Sequence, residues 1–326
     1  MRIAITGITG SLGSALLARL ATSGADRIVG FSRDEQKRFI ISAKYAAHPG
    51  VKIYAGDVRD ASRLADMFAG CEVVVHAAAR KMVSGHHDEP AEMHATNVVG
   101  TQNVIDAARR AGVRKLLFIS SDKAVHPCNV YGASKMLAEH LVVSANARTF
   151  AHGLRCGVIR YGNVLGSTGS VLRTWRARYA AGLPLELSHH DMTRFWLPLE
   201  EAVDLVLRAV GDLRGGEIFV PWLKAAPVKR LLKAMVNNDP AVNIEEIGIR
   251  PGGEKLHESL LSEDELRRAV RRNGWIVVPP PDTPELWDHT AWIGEPVAET
   301  LIYRSDLWDD EWTVEELRAL LDAKEA

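Results

Sequence analysis

Arg2-Ile3-Ala4-Ile5-Thr6-Gly7-Ile8-Thr9-Gly10-Ser11-Leu12-Gly13 reads as a short buried strand breaking into a glycine turn, and apolar residues at 12, 16, 17 and 20 then mark one face of a helix. Strand, glycine turn and helix together form the context of a dinucleotide fingerprint. The glycines let the backbone turn tightly and approach a pyrophosphate, while the helix N-terminus supplies free N–H groups and a positive dipole end. Gly7, Thr9, Gly10, Ser11, Leu12 and Gly13 are therefore candidate cofactor-binding residues.

Outward from this stretch the alternation of strand and helix continues. Ile28-Val29-Gly30-Phe31 runs into Ser32-Arg33-Asp34-Glu35-Gln36-Lys37. An acidic residue at this point commonly meets ribose hydroxyls, whereas arginine accommodates a 2′-phosphate. Ser32, Arg33 and Lys37 favour NADP, and Asp34 leaves NAD as the less favoured choice. Val51-Lys52-Ile53-Tyr54 leads to Gly56-Asp57-Val58, placing Asp57 and Val58 near an adenine. Val73-Val74-Val75-His76 leads to Ala77 and Ala78, small enough for a ribose and nicotinamide to come close. A long helical pattern covers about 91–111, and Val158-Ile159-Arg160-Tyr161 reads as another strand. Such repetition predicts an α/β fold: a doubly wound parallel Rossmann sheet with a smaller, discontinuous C-terminal substrate domain. The expected division is 1–165 plus about 196–222 for the first, and 166–195 with 223–326 for the second.

The chemistry concentrates at the end of one apolar run, Leu116-Leu117-Phe118-Ile119. It is followed by Ser120-Ser121-Asp122-Lys123 and, eight residues on, by Tyr131-Gly132-Ala133-Ser134-Lys135. Parallel sheets place their active sites at such strand ends. Tyr131 and Lys135 stand one helical turn apart and share a face. An ammonium beside a phenol stabilises the phenolate, so Tyr131 is expected to have a lowered pKa and to act as a base on a substrate hydroxyl.

Lys+Arg 40 against Asp+Glu 41 leaves a formal charge of −1, which recruits neither nucleic acid nor an anionic membrane. Cys71, Cys128 and Cys156 are widely spaced, with no C-x-x-C, which fits a reducing compartment and no zinc site. No apolar run reaches about 18 residues, and a strand pattern begins at once, so a cytoplasmic location without signal peptide is expected. The pairs His86/His87 and His189/His190 read as solvated loop residues rather than a metal site.

Together these residues resemble the extended short-chain dehydrogenase/reductase superfamily and, within it, the inverting UDP-N-acetylglucosamine 4,6-dehydratases of bacterial surface-sugar biosynthesis. The resemblance runs from the glycine loop through Lys81, Ser121-Asp122-Lys123, Tyr131 with Lys135, Arg160 to Val164, Met192 to Trp196, and Arg250 to Glu258. The Ser-Asp-Lys triplet discriminates, because retaining sugar-nucleotide dehydratases carry Asp-Glu there and simple 4-epimerases lack both the acid and the extra lysine. The resemblance implies catalytic roles for Ser121, Asp122, Lys123, Tyr131 and Lys135. It implies cofactor contacts for Val164 and Lys81, and substrate contacts for Lys81, Asn163, Arg194, Arg250 and Glu254. A UDP-sugar substrate and a homo-oligomer, dimer or hexamer, are implied as well.

In this chemistry a sugar C5 proton becomes acidic only after C4 is a ketone. Tyr131 would take the 4-hydroxyl proton, Lys123 as a neutral amine the C5 proton, and protonated Asp122 would release water from C6. Lys123 must then fall from an ordinary pKa of about 10.4 and Asp122 rise from about 3.9; burial drives both in that direction, whereas a salt bridge between the two neighbours would do the opposite. The alternatives are an epimerase or 5,6-dehydratase on the same scaffold, and a non-catalytic NADP-binding sensor. Ser84, Met82, Thr168 and Gly253 depart from the family pattern near the expected pocket.

Overall fold

The computed structural model describes residues 1–81, 89–237, 239–250, 253–281 and 293–322. The expectations for Met82, Ser84 and His86/His87 lie outside the described residues. From the N-terminus the chain forms β1 (Arg2–Thr6), α1 (Ser11–Thr22), β2 (Arg27–Ser32), α2 (Glu35–Lys44), β3 (Val51–Ala55), α3 (Ala61–Phe68) and β4 (Val73–His76). Next come α4 (Pro90–His94), a π-helical turn at Ala95–Val99, α5 (Gly100–Arg110), β5 (Lys115–Ile119), a 3₁₀ turn at Asp122–Ala124, α6 (Val130–Thr149) and β6 (Arg155–Ile159). Then follow β7 (Asn163–Val164), α7 (Val171–Ala180), β8 (Leu185–Leu187), β9 (Thr193–Leu197), α8 (Leu199–Asp212) and β10 (Ile218–Pro221). The remainder is β11 (Ala225–Pro227), α9 (Val228–Met235), β12 (Ile244–Glu246), α10 (Glu263–Leu266), β13 (Val270–Arg272), β14 (Trp275–Val278), β15 (Glu295–Pro296) and α11 (Val314–Asp322).

A ten-stranded sheet runs in the order β15-β13-β14-β10-β6-β5-β4-β1-β2-β3. From β3 to β10 all neighbours are parallel, as the buried apolar strands require. The chain winds outward through β2 and β3, then crosses back to place β4 beside β1. That reversal opens a crevice at the strand ends, where open α/β sheets bind ligands.

Beyond β10 the sheet continues with antiparallel strands drawn from the stretch expected in the substrate region. The hairpin between β13 and β14 turns at Asn273 and Gly274, both with positive φ (47° and 69°). Asn-Gly favours this two-residue turn because both residues tolerate the left-handed region. A second cluster of buried side chains, including Leu172, Trp175, Trp196, Leu231 and Leu317, forms its own apolar centre beside the sheet.

Candidate active site

The glycine turn fits a dinucleotide. Gly7 has φ +70°, and a Cβ there would lie 2.9 Å from the backbone of Ala78, so the loop presses against the end of β4 with no room for a side chain. Gly10 caps α1 without a side-chain hydrogen bond, leaving the first-turn N–H groups facing the crevice end. Ser11 Oγ accepts from the backbone N–H of Thr168 at 2.8 Å and pairs with its hydroxyl at 3.0 Å. The loop after β7 is thus fastened to the glycine turn.

The end of β4 is held by a buried relay. Thr101 Oγ1 donates to Asn97 O, so it accepts from His76 Nε2–H, and His76 Nδ1 accepts from the hydroxyl of Thr6, whose oxygen takes the N–H of Ala78. Burial, with repulsion from Lys135, holds His76 down to about 3, so it stays neutral in this chain of bonds. Asn97, in the π-helical turn, grips both backbone groups of Arg80 and donates to Ser134 Oγ on α6. Nothing in the local pattern flagged Asn97; its role depends on that turn.

At the end of β2, Thr9 and Ser32 hydroxyls meet at 2.7 Å. Asp34 caps α2, accepting from Lys37 N at 2.9 Å, while Lys37 Nζ lies 2.9 Å from its other oxygen. Asp34 is therefore engaged by the helix it begins. Arg33, half-exposed, lies 3.5 Å from Asp57, which also takes three bonds from Arg59. Val58 is buried behind it against α5.

The catalytic candidates converge at the end of β5. Asp122 N donates to Tyr161 O, which fixes the start of the 3₁₀ turn to the segment just beyond β6. Asp122 is fully buried; its Oδ1 accepts from Ser121 Oγ at 2.6 Å and from Lys123 Nζ at 3.0 Å. Among the described residues its Oδ2 has no hydrogen-bond partner. Lys123 Nζ also donates to Asn163 Oδ1 at 3.0 Å and lies 3.5 Å from Glu258 Oε1. Tyr131 and Lys135 stand on α6, and the Ser121 hydroxyl favours the Tyr131 phenolate against the effect of burial.

Two electrostatic expectations are corrected. Burial does depress Lys123, but the carboxylates of Asp122 and Glu258 outweigh it and hold its ammonium above the ordinary range. Tyr131 is pushed up to about 12 by burial rather than lowered, because Lys135 Nζ donates to Ile119 O and sits 4.0 Å from the Phe118 ring. Lys135 itself is held down to about 7 by burial, opposed by Glu139.

Beside Lys123 opens a cleft of about 550 Å³. Asn163, Arg194, Arg250 and Glu254 line it as the sequence suggests, joined by Cys128, Asn129, Lys255 and Glu258. Arg250 donates to Glu254 at 3.0 and 2.6 Å. Arg194 is buried and spends its donors on Thr193 O, Leu256 O and Met192 Sδ. Asn129 accepts from Gly132 N and donates to Gly253 O, so the departure at 253 is tied to the start of the Tyr131 helix. Val164 pairs with Leu197. Lys81 is exposed and outside the cleft lining, and partial desolvation with the charges of Arg173 and Lys123 depresses its ammonium. His189 and His190, outside the cleft lining, stack at 4.6 Å, and His190 Nδ1 is 3.1 Å from Glu246. Their ligand atoms and that of Glu246 lie within 4.8 Å of one another, at the surface rather than in the site.

Residues 3–280 match the family described as "Polysaccharide biosynthesis protein". The chain belongs to that family. It is 38% identical over 280 residues to a Campylobacter jejuni protein named UDP-N-acetylglucosamine 4,6-dehydratase (inverting), covering 85% of this chain and 82% of that one. It is also 39% identical to a Rickettsia typhi protein named UDP-glucose 4-epimerase, over 84% and 82% of the two chains. The solved structure of Pen from Bacillus thuringiensis superposes with a TM-score of 0.90 at 30% identity, covering 99% and 97%. The family member's sheet is thus the Rossmann-type sheet of the short-chain dehydrogenase/reductases. Among the described residues no helix is long and apolar enough to cross a membrane.

Proposed function

We propose that this polysaccharide biosynthesis protein is an NADP-dependent sugar-nucleotide 4,6-dehydratase that converts UDP-N-acetylglucosamine to a 4-keto-6-deoxy sugar with inversion at C5. The observation that carries this reading is the hydrogen-bonded Asp122–Lys123 pair beside Asn163, at the junction of the β5 end with the cleft. The similarity to the Campylobacter jejuni dehydratase supports it.

Ser11, Thr9 and the first turn of α1 would hold the pyrophosphate, and Ser32, Arg33 and Lys37 a 2′-phosphate. Asp34, engaged as a helix cap, supports NADP over NAD. A dinucleotide bound there would supply the reversible hydride acceptor that oxidation at C4 and reduction at C6 require. Tyr131 takes the 4-hydroxyl proton, with the Ser121 hydroxyl and the Lys123 charge favouring its phenolate. Lys123 takes the C5 proton once its own proton is displaced, and Asp122 protonates the leaving 6-hydroxyl. A buried carboxylate oxygen without a hydrogen bond is costly, and a substrate hydroxyl donating to Asp122 Oδ2 would remove that cost. Arg250, its Nε and Nη2 held by Glu254, would offer its remaining N–H groups and its charge to the diphosphate.

A second reading, a 4-epimerase, is favoured by the Rickettsia typhi relative. Incubation with UDP-N-acetylglucosamine and NADP in deuterated water, followed by NMR and mass spectrometry, separates the two. Loss of one water with a 6-methyl group, deuterium at C5 and inverted C5 geometry is the expected result. An isomerised sugar retaining its 6-hydroxyl would replace the dehydratase by the epimerase. A product retaining a C5–C6 double bond would mean a 5,6-dehydratase.

A further inference from the structure

Glu258 is 1% exposed and lies among three cations. Lys123 Nζ is 3.5 Å from its Oε1, Lys255 Nζ 2.6 Å from its Oε2, and Arg194 Nε 3.9 Å from its Oε1. Lys255 also donates to Val125 O at 2.7 Å and Asp122 O at 3.2 Å. The lysine that shares the charge of Glu258 therefore also holds the turn on which Asp122 and Lys123 stand. We propose that Glu258 is a positioning residue that decides where the proton lies between Asp122 and Lys123, with Lys255 setting how much of its charge reaches Lys123. This rests on the dehydratase reading and supplies its missing step, the route from an ammonium to a neutral amine.

Lys123 Nζ–H points at Asp122 Oδ1 across 3.0 Å. Moving that proton breaks one N–H bond and forms one O–H bond, and an ammonium–carboxylate pair becomes an amine and a carboxylic acid. No other reactant is consumed and the pair's net charge is unchanged. The product is the form needed for C5 deprotonation and loss of the 6-hydroxyl. The ionic form carries a dipole and the neutral form does not, so surrounding charges select between them. Tyr131 on α6, Arg194 on β9, Lys81 beyond the end of β4 and Glu258 act on Lys123 from the other elements. Arg194 and Lys81 drive the proton toward Asp122. Glu258 retains it on Lys123, to the extent that Lys255 and Arg194 leave its charge uncompensated.

Competitive acetylation of the full chain with acetic anhydride, read by peptide mass spectrometry from neutral to alkaline pH, titrates Lys123 without any turnover. Glu258→Gln should lower its midpoint by about one to two pH units, the usual effect of removing an opposite charge at this range. Lys255→Met should raise it, and Glu258→Asp should stay near the parent. Midpoints that do not move, or that move the same way in both variants, would overturn the proposal, since a merely structural role has no reason to give opposite signs. If Glu258→Gln does not fold, the direction of the Lys255→Met shift decides. With UDP-N-acetylglucosamine, the rising limb of kcat/KM against pH should shift down in Glu258→Gln. A parent enzyme that dehydrates no sugar nucleotide would sink the dehydratase reading, whereas an active parent with unmoved midpoints sinks this inference alone.

Discussion

Replacing Arg160 by methionine should destabilise the protein by about 3 kcal/mol or more at neutral pH. Arg160 is 2% exposed and bridges three segments: two bonds to Glu139 on α6 (3.1 and 2.6 Å), two to Glu265 on α10 (both 2.9 Å), and one to Leu260 O (2.9 Å). Methionine fills much of the space but donates nothing, leaving two carboxylates facing each other in the interior. Burial works against the charge of Glu265, yet Arg160 holds it down to about 2. Against an ordinary value of about 4.3 that is roughly two units, or about 3 kcal/mol at ~1.36 kcal/mol per unit. Removing one partner of a buried pair typically costs about 3–5 kcal/mol, which agrees. Because the folded pKa is depressed, this stability is present above about pH 4.3 and disappears as pH falls through about 2. Urea unfolding followed by circular dichroism at several pH values measures both. The triple variant Glu139→Gln, Arg160→Met, Glu265→Gln should recover most of the loss. A single variant within about 1 kcal/mol of the parent, or a triple no more stable than the single, would refute the argument.

Other expectations follow from the site. A Cβ on Gly132 would lie 2.3 Å from Lys123 O, so Gly132→Ala must displace the Asp122–Lys123 turn; kcat should drop about 100-fold with NADP affinity retained, and equal loss of both would contradict this. Arg33→Ala should weaken NADP about tenfold or more while leaving NAD unchanged in fluorescence titrations; parallel losses would remove Arg33 from a 2′-phosphate. Lys135 is held down to about 7, so above that pH and below ~10.4 the unfolded chain binds a proton the folded one lacks, and stability rises with pH. Lys135→Met should abolish turnover and flatten that rise in thermal melts; a slope that persists would assign it to other groups.

The glycine loop, the parallel strands and the Tyr131–Lys135 helix were legible because each is written in neighbouring residues: a period, a turn or a spacing of four. The protonation states were not. Lys123 meets Glu258, and Arg194 meets Glu258 and Glu254, only after distant segments pack together. Sequence shows the neighbouring Asp122, but not that folding adds the Glu258 carboxylate, and together they outweigh burial at Lys123. Lys135 likewise shares a helix with Tyr131, but the Ile119 carbonyl and the Phe118 ring claim its ammonium. The antiparallel hairpin was readable in principle, since Asn273-Gly274 stands between Val270-Arg271-Arg272 and Trp275-Ile276-Val277-Val278. Its partner strand β10 lies far upstream, which hid the fact that these residues extend the sheet.

The Ser11–Thr168 fastening bears on how the proposed enzyme would live with its coenzyme. An ordinary dehydrogenase must exchange a spent dinucleotide after every turnover, so a clasp across the binding loop would slow it. A dehydration that gives its hydride back finishes with the coenzyme as it began. Residence time then costs such an enzyme nothing, and a dehydratase of this kind would carry one dinucleotide through many substrates, a resident part more than a visitor.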